Sequence, residues 1–145
     1  MKTHGGFYLS QVHQLGGRVF ERILKASEVD TFNGPQGRIL YVLWENEKLS
    51  ISEIGKLTSL AKTTLTSMLD RMEAMGLIEK IQSEDDRRQI FVSITEKSRQ
   101  YKKIYDQVSK RMNMIFYKNF APDEISLFER MLKQIIDNLE NSEAE

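Results

Sequence analysis

Apolar residues recur at every third or fourth position along most of this chain, and only between residues 78 and 94 does the spacing tighten to that of extended strands. Tyr8, Val12, Leu15, Val19 and Ile23 make one helical stripe; Ile39, Leu40, Leu43 and Trp44 make a second. Between them, Asn33-Gly34-Pro35 reads as a helix start, because proline fits the first helical turn, where an amide has no partner to lose. A short third helix begins at Ser50. Its hydroxyl can cap the free amides while Glu53, three residues on, reaches back to the Ser50 amide. Ile51, Ile54 and Leu57 form the side expected to pack on the next helix, and residues 58–60 are left for a turn.

A fourth helix is predicted over residues 61–75. Ala61, Leu65, Met68, Leu69, Met72 and Met75 form its apolar back, with the methionines read as core packing rather than as oxidation sensors. Turned away from that back are Lys62, Thr63, Thr64, Thr66, Ser67, Asp70 and Arg71. Gly76 closes the helix, since glycine adopts the left-handed cap without strain. Ile78 and Ile81, then Ile90, Val92 and Ile94, bracket the polar residues 83–88, a hairpin with a charged apex. A long helix starting near Thr95 carries Tyr101, Ile104, Tyr105, Val108, Met112, Ile115 and Phe116. A last one from Pro122 carries Ile125, Phe128, Met131, Leu132, Ile135, Ile136 and Leu139.

Helix, tight turn, helix and charged hairpin is the order a DNA-reading winged module needs, because a rigid rod braced from behind can enter a major groove about 12 Å wide. Short hydroxyls and cations at Lys62, Thr63, Thr64, Thr66, Ser67 and Arg71 suit phosphate oxygens and base edges. Arg87 and Arg88 at the hairpin tip reach beyond the body, where the negative potential of a narrow minor groove attracts arginine. The fold class expected is mainly α with a small β-hairpin wing.

Residues 32–98 resemble the MarR family of bacterial transcriptional regulators, and the flanking helices extend the likeness over nearly the whole chain. Asp86-Arg87-Arg88, followed after five residues by Ile94-Thr95, is similar to the family's D-x-R-x5-L-T signature, with isoleucine in place of leucine. The resemblance implies that Arg88 enters the minor groove, that Asp86 orients it, and that the helix over 61–75 lies in the major groove. Many relatives carry arginine just after the second threonine of a T-x-T element; here that residue is Ser67, which moves base reading towards Lys62, Thr64 and Thr66. The resemblance further implies one MarR-like domain over 1–145, a winged helix-turn-helix at 35–95, and N- and C-terminal dimerisation helices at 1–30 and 96–145. It also implies a pocket for small aromatic or lipophilic effectors where the first, second and fifth helices meet the head. Ser10, His13, Gly17, Tyr41, Trp44 and Tyr105 are the candidates to line it.

Composition changes this picture in three places. The chain holds 21 basic and 21 acidic residues, yet residues 56–120 carry a net +5 and residues 121–145 a net −5, so a basic reading head precedes an acidic tail. Cysteine is absent, and Ser10 aligns near the reactive cysteine of thiol-sensing relatives, which excludes peroxide sensing through a sulfenic acid. His4 and His13 alone supply too few ligands for four-coordinate zinc, so no metal and no cofactor are expected. No 18-residue apolar run and no secretion signal stand out, and a cytoplasmic location without a membrane anchor is expected.

The terminal helices carry more large apolar residues than one head can cover, and a second copy of the chain is the natural cover. Two heads related by a two-fold axis would meet half-sites one DNA turn apart on a pseudo-palindromic operator. Gly16-Gly17 inside the first helix calls for a reason, either a close helix crossing or room for an effector, with the crossing preferred. Two other classes compete. A winged-helix protein-protein adaptor without DNA binding is the alternative the sequence leaves open, and log-linear loss of affinity with salt would separate it from a DNA binder. An enzyme finds no nucleophile with a histidine partner, no phosphate loop and no H-E-x-x-H helix, while Asp123-Glu124 simply favour a helix start.

Overall fold

The computed structural model describes residues 1–143. In chain order the elements are α1 (Gly5–Ala26), α2 (Gly34–Asn46), β1 (Lys48–Ser50), α3 (Ile51–Thr58), α4 (Lys62–Ala74), β2 (Ile78–Gln82), β3 (Ile90–Ile94), α5 (Glu96–Arg99), α6 (Lys102–Phe116) and α7 (Pro122–Glu143). They fall into two compact units, residues 1–112 and the described residues from Asn113 onward.

The core of the first unit is built from the predicted stripes together with Leu24 and Leu77, which no stripe included. Leu24, Ile39, Leu40, Leu43, Ile54, Leu65, Leu69, Met72, Leu77, Ile78 and Val92 are all sealed from solvent. Each contributes about 1.5–3 kcal/mol relative to an exposed side chain, an upper figure since the unfolded chain already hides some area. Two reciprocal caps start the helices that lead into the head. Asn33 Oδ1 accepts from Gln36 N while Gln36 Oε1 accepts from Asn33 N (2.9 and 3.1 Å). Ser50 and Glu53 do the same for α3, at 3.1 and 3.0 Å.

Three details depart from the sequence expectation. The hairpin is part of a three-stranded antiparallel sheet of order β1-β3-β2, with Leu49 opposite Val92 and Ile78 opposite Ile94. A three-residue strand is too short to declare itself by alternation. Thr58 belongs to α3, its hydroxyl donating to Ile54 O, and the turn is made instead by Ser59 in the left-handed region at φ 57°. That turn carries Leu60 inward and leaves Leu57 exposed rather than packed on α4. Finally, the helix expected from Thr95 onward is broken between α5 and α6. Thr95 caps α5 by accepting from Ser98 N, yet its hydroxyl donates to Gly76 O at 2.7 Å. Tyr101, within the break, reaches Thr31 (2.9 Å), so the two ends are tied in different directions.

Towards its N-terminal end α1 keeps Phe7, Tyr8, Val12 and Leu15 exposed, whereas Ile23 and Leu24 are buried. In the second unit Phe116, Tyr117, Phe120 and Phe128 stack edge to face or tilted, and the Tyr117 hydroxyl donates to Glu129 at 3.0 Å. Along α7, Leu127, Met131, Ile135, Ile136 and Leu139 remain exposed. Among the described residues no helix is long and apolar enough to cross a membrane.

Candidate nucleic-acid interface

Helix α4 is held by its back. Leu65, Leu69 and Met72 are buried and Met68 and Met75 are packed on the core, while Lys62, Thr63, Thr64, Thr66, Ser67 and Arg71 are exposed. Only Ala61 departs from the expected stripe: it is exposed and serves as the residue before the first helical turn, with no side-chain acceptor for the amides there. Those amides stay free, and an uncapped helix start of this length is a site where a phosphate can accept hydrogen bonds along the helix dipole. The Thr66 hydroxyl donates to Lys62 O at 2.8 Å, so it faces outward with lone pairs and acts as an acceptor. At the other end Gly76 takes φ +76°, and Lys97 donates to Met75 O at 3.2 Å.

The wing tip is ordered by its own polar residues. Ser83 Oγ accepts from the amides of Asp85 and Asp86, Gln82 Nε2 donates to Arg87 O, and Gln89 N closes on Asp86 O. Asp86 Oδ1 in turn accepts from Arg88 N (3.0 Å) and Arg88 Nε (3.2 Å), which aims a guanidinium that is 92% exposed. Arg87 is exposed beside it. Ser83 and Gln82 were not singled out by the sequence; a serine two residues before an Asp-Asp pair is the turn signal that would have found Ser83. Lys80, midway along β2, was also missed. Its ammonium pairs with Asp70 of α4 and lies 3.9 Å from Glu73.

The six residues suggested for an effector pocket are not brought into one cavity. Tyr41, Trp44 and Tyr105 meet in an aromatic cluster, with Tyr105 centroids 6.2 Å from Tyr41 and 5.4 Å from Trp44, and Phe20 and Phe32 complete it. Burial raises the Tyr105 pKa, with Arg38 pulling the other way. Trp44 Nε1 is buried there without a hydrogen-bond partner among the described residues. Ser10 is exposed on α1, apart from the cluster. His13 and Gly17 instead border an open groove of about 720 Å3 between α1 and the start of α2, beside Val19, Phe20 and the arginines 18, 22 and 38. No neighbour lies within 4 Å of a methyl built on Gly17, and one on Gly16 meets only Met112 Cε at 3.7 Å, so the glycine pair does not mark a close crossing among the described residues. Nor do the described residues include a cluster able to hold a metal ion.

Comparison with known proteins agrees with this geometry. The MarR family model matches residues 32–90. The transcriptional repressor IacR of Pseudomonas putida is 31% identical over 134 residues, 92% of this chain and 78% of that protein. Two other curated regulators align over shorter stretches, where the chain spans 41% and 42% of their length. Among solved structures, a mutant of E. coli MarR complexed with operator DNA superposes with a TM-score of 0.79 at 24% identity, covering 90% of this chain and 91% of that one. Bordetella bronchiseptica BpsR, studied for regulation of its DNA binding by 6-hydroxynicotinic acid, gives 0.80 at 18% identity, covering 92% and 98%. The chain therefore belongs to the MarR family of winged helix-turn-helix proteins, which are DNA-binding regulators of transcription and not enzymes.

Proposed function

We propose that this chain acts in the cytoplasm as a homodimeric repressor that reads a pseudo-palindromic operator and is released by a small organic effector. The observation that carries this reading is the two-sided character of α4: an apolar back sealed in the core and a front of Lys62, Thr63, Thr64, Thr66, Ser67 and Arg71 open to solvent. Its uncapped start fits a phosphate, and Thr66 and its neighbours fit base edges. Arg88, aimed by Asp86 and flanked by Arg87, fits the minor groove alongside.

The exposed apolar residues of α1 and of α7 support a dimer built on the terminal helices, since faces of that character are normally covered. For the effector, the groove beside α2 offers an apolar wall at Val19 and Phe20 with three arginines that have no ion-pair partner among the described residues. That combination suits an organic anion with a hydrophobic body, and repression by IacR and the effector-linked behaviour of BpsR are consistent with it. A ligand would release DNA only by binding one spacing of the two heads better than the other.

The test is selection of bound duplexes from a random library by the purified chain, repeated with a panel of aromatic acids. A recovered pseudo-palindrome whose affinity falls log-linearly with salt, at a slope of about −0.9 per phosphate contacted, is the expected result. Failure to retain any duplex at low ionic strength would overturn the reading.

A further inference from the structure

We propose that Lys80 is a charge screen for the reading helix: carried on the first strand of the wing, its ammonium masks the two carboxylates in which the hydroxyl face of α4 ends. This inference rests on the DNA-reading role proposed above. Asp70 lies one helical turn beyond Thr66, and Glu73 follows it, so both project from the part of the helix that continues the Thr63–Thr66 ridge. Their side chains are 61% and 46% exposed. Lys80 reaches them from β2, pairing with Asp70 and standing 3.9 Å from Glu73 Oε1, while its own backbone amide donates to Glu73 Oε2 at 3.3 Å. The lysine side chain itself is only 21% exposed, laid down against the helix rather than extended into solvent.

Folding stability gives little reason for the arrangement, because ion pairs this exposed contribute little to it. DNA binding gives a stronger one. Fixed charges interact across a Debye length of about 10 Å at 0.1 M salt, and a helix seated in a groove has phosphates within that distance on both sides. With Lys80 in place, Lys62, Arg71 and Lys80 outnumber Asp70 and Glu73; without it the helix itself carries no net charge, and two uncovered carboxylates face the phosphates. Like charges brought together in this way oppose binding whatever the base sequence.

The experiment measures anisotropy of two labelled duplexes of about 30 bp, one recovered from the random library and one of unrelated sequence, in low salt near 50 mM, where screening is weak. Lys80→Met, which keeps the apolar stem, is expected to lose about tenfold on both duplexes, with the loss shrinking as salt is raised. Asp70→Asn with Glu73→Gln, keeping Lys80, should bind more tightly than the unaltered chain. The triple neutral variant, which adds Lys80→Met to those two, should return to within about threefold of the unaltered chain although no ion pair remains. A mere mechanical brace would leave the triple variant as weak as Lys80→Met, and that result overturns the inference; so does full affinity in Lys80→Met. Circular dichroism checks folding, and should Lys80→Met fail it, the Asp70 and Glu73 double variant decides: no gain in affinity refutes the screen. Silence of the unaltered chain on both duplexes sinks the DNA-reading role itself, with no variant involved.

Discussion

Gly37 sits inside α2 where alanine would ordinarily be the better residue by about 1 kcal/mol. A methyl built there would lie 2.6 Å from Tyr105 Cε2, closer than atoms tolerate, and a tight 3.2 Å from Phe32 Cε2. The Tyr105 ring cannot swing aside cheaply, since it is buried among Phe20, Phe32, Tyr41 and Trp44. Overpacking of this kind costs about 1–3 kcal/mol, so Gly37→Ala should be net destabilising by as much as about 2 kcal/mol. Gly55 in α3 is the control: a methyl there meets Leu65 Cδ2 at an ordinary 3.7 Å, and Gly55→Ala should stabilise by up to about 1 kcal/mol. The gap between the two variants, up to about 3 kcal/mol, corresponds to as much as roughly 1.5 M in the urea midpoint at a typical m-value. Trp44 is the only tryptophan and lies against Tyr105, so its fluorescence reports the affected region directly, at one fixed protein concentration because a dimer's stability depends on it. A Gly37→Ala midpoint equal to or above that of Gly55→Ala would refute the close-approach argument.

Two further outcomes are expected. Arg88→Ala should weaken binding to the selected duplex by about 1–3 kcal/mol while sedimentation still reports a dimer, and an unchanged gel-shift affinity would remove Arg88 from the interface. The Ser50 amide and hydroxyl hold the Glu53 carboxyl below its usual pKa, so the native state favours the ionised form. Its contribution is complete above the unfolded-state pKa and is lost as pH falls through the lower folded-state value. The melting temperature of the unaltered chain should therefore exceed that of Glu53→Gln near pH 6 by a margin that narrows as pH falls below the ordinary carboxylate range, and a margin constant through that fall would contradict the assignment.

Local signals were legible in the sequence and long-range ones were not. The Ser50–Glu53 cap, the buried back of α4 and the left-handed Gly76 each involve residues a few positions apart and appear in the structure where spacing predicted them, while the Asp86–Arg88 pair, expected from the family resemblance, is just as local. By contrast, β1 exists only because residues 48–50 find β3 more than 40 positions later, and the α5–α6 break follows from Thr95 reaching Gly76 and Tyr101 reaching Thr31. The same holds for the suggested effector residues. Trp44 and Tyr105 are helical stripe positions in sequence, and only the crossing of α2 and α6 decides that they fill an aromatic cluster instead of bordering the groove that His13 and Gly17 line. Leu57 misled for a different reason: its spacing was correct, but Ser59 turned the chain so that Leu60 took the inner position.

Ser50 belongs to two elements at once, ending a strand registered against Phe91 and capping the helix that precedes the reading rod. A single residue thus joins the load path of the hairpin stem to that of the helical pair, and the head behaves as one tool with a welded handle. In the proposed dimer, control of such a tool would come from moving it bodily against its twin, not from bending its jaws.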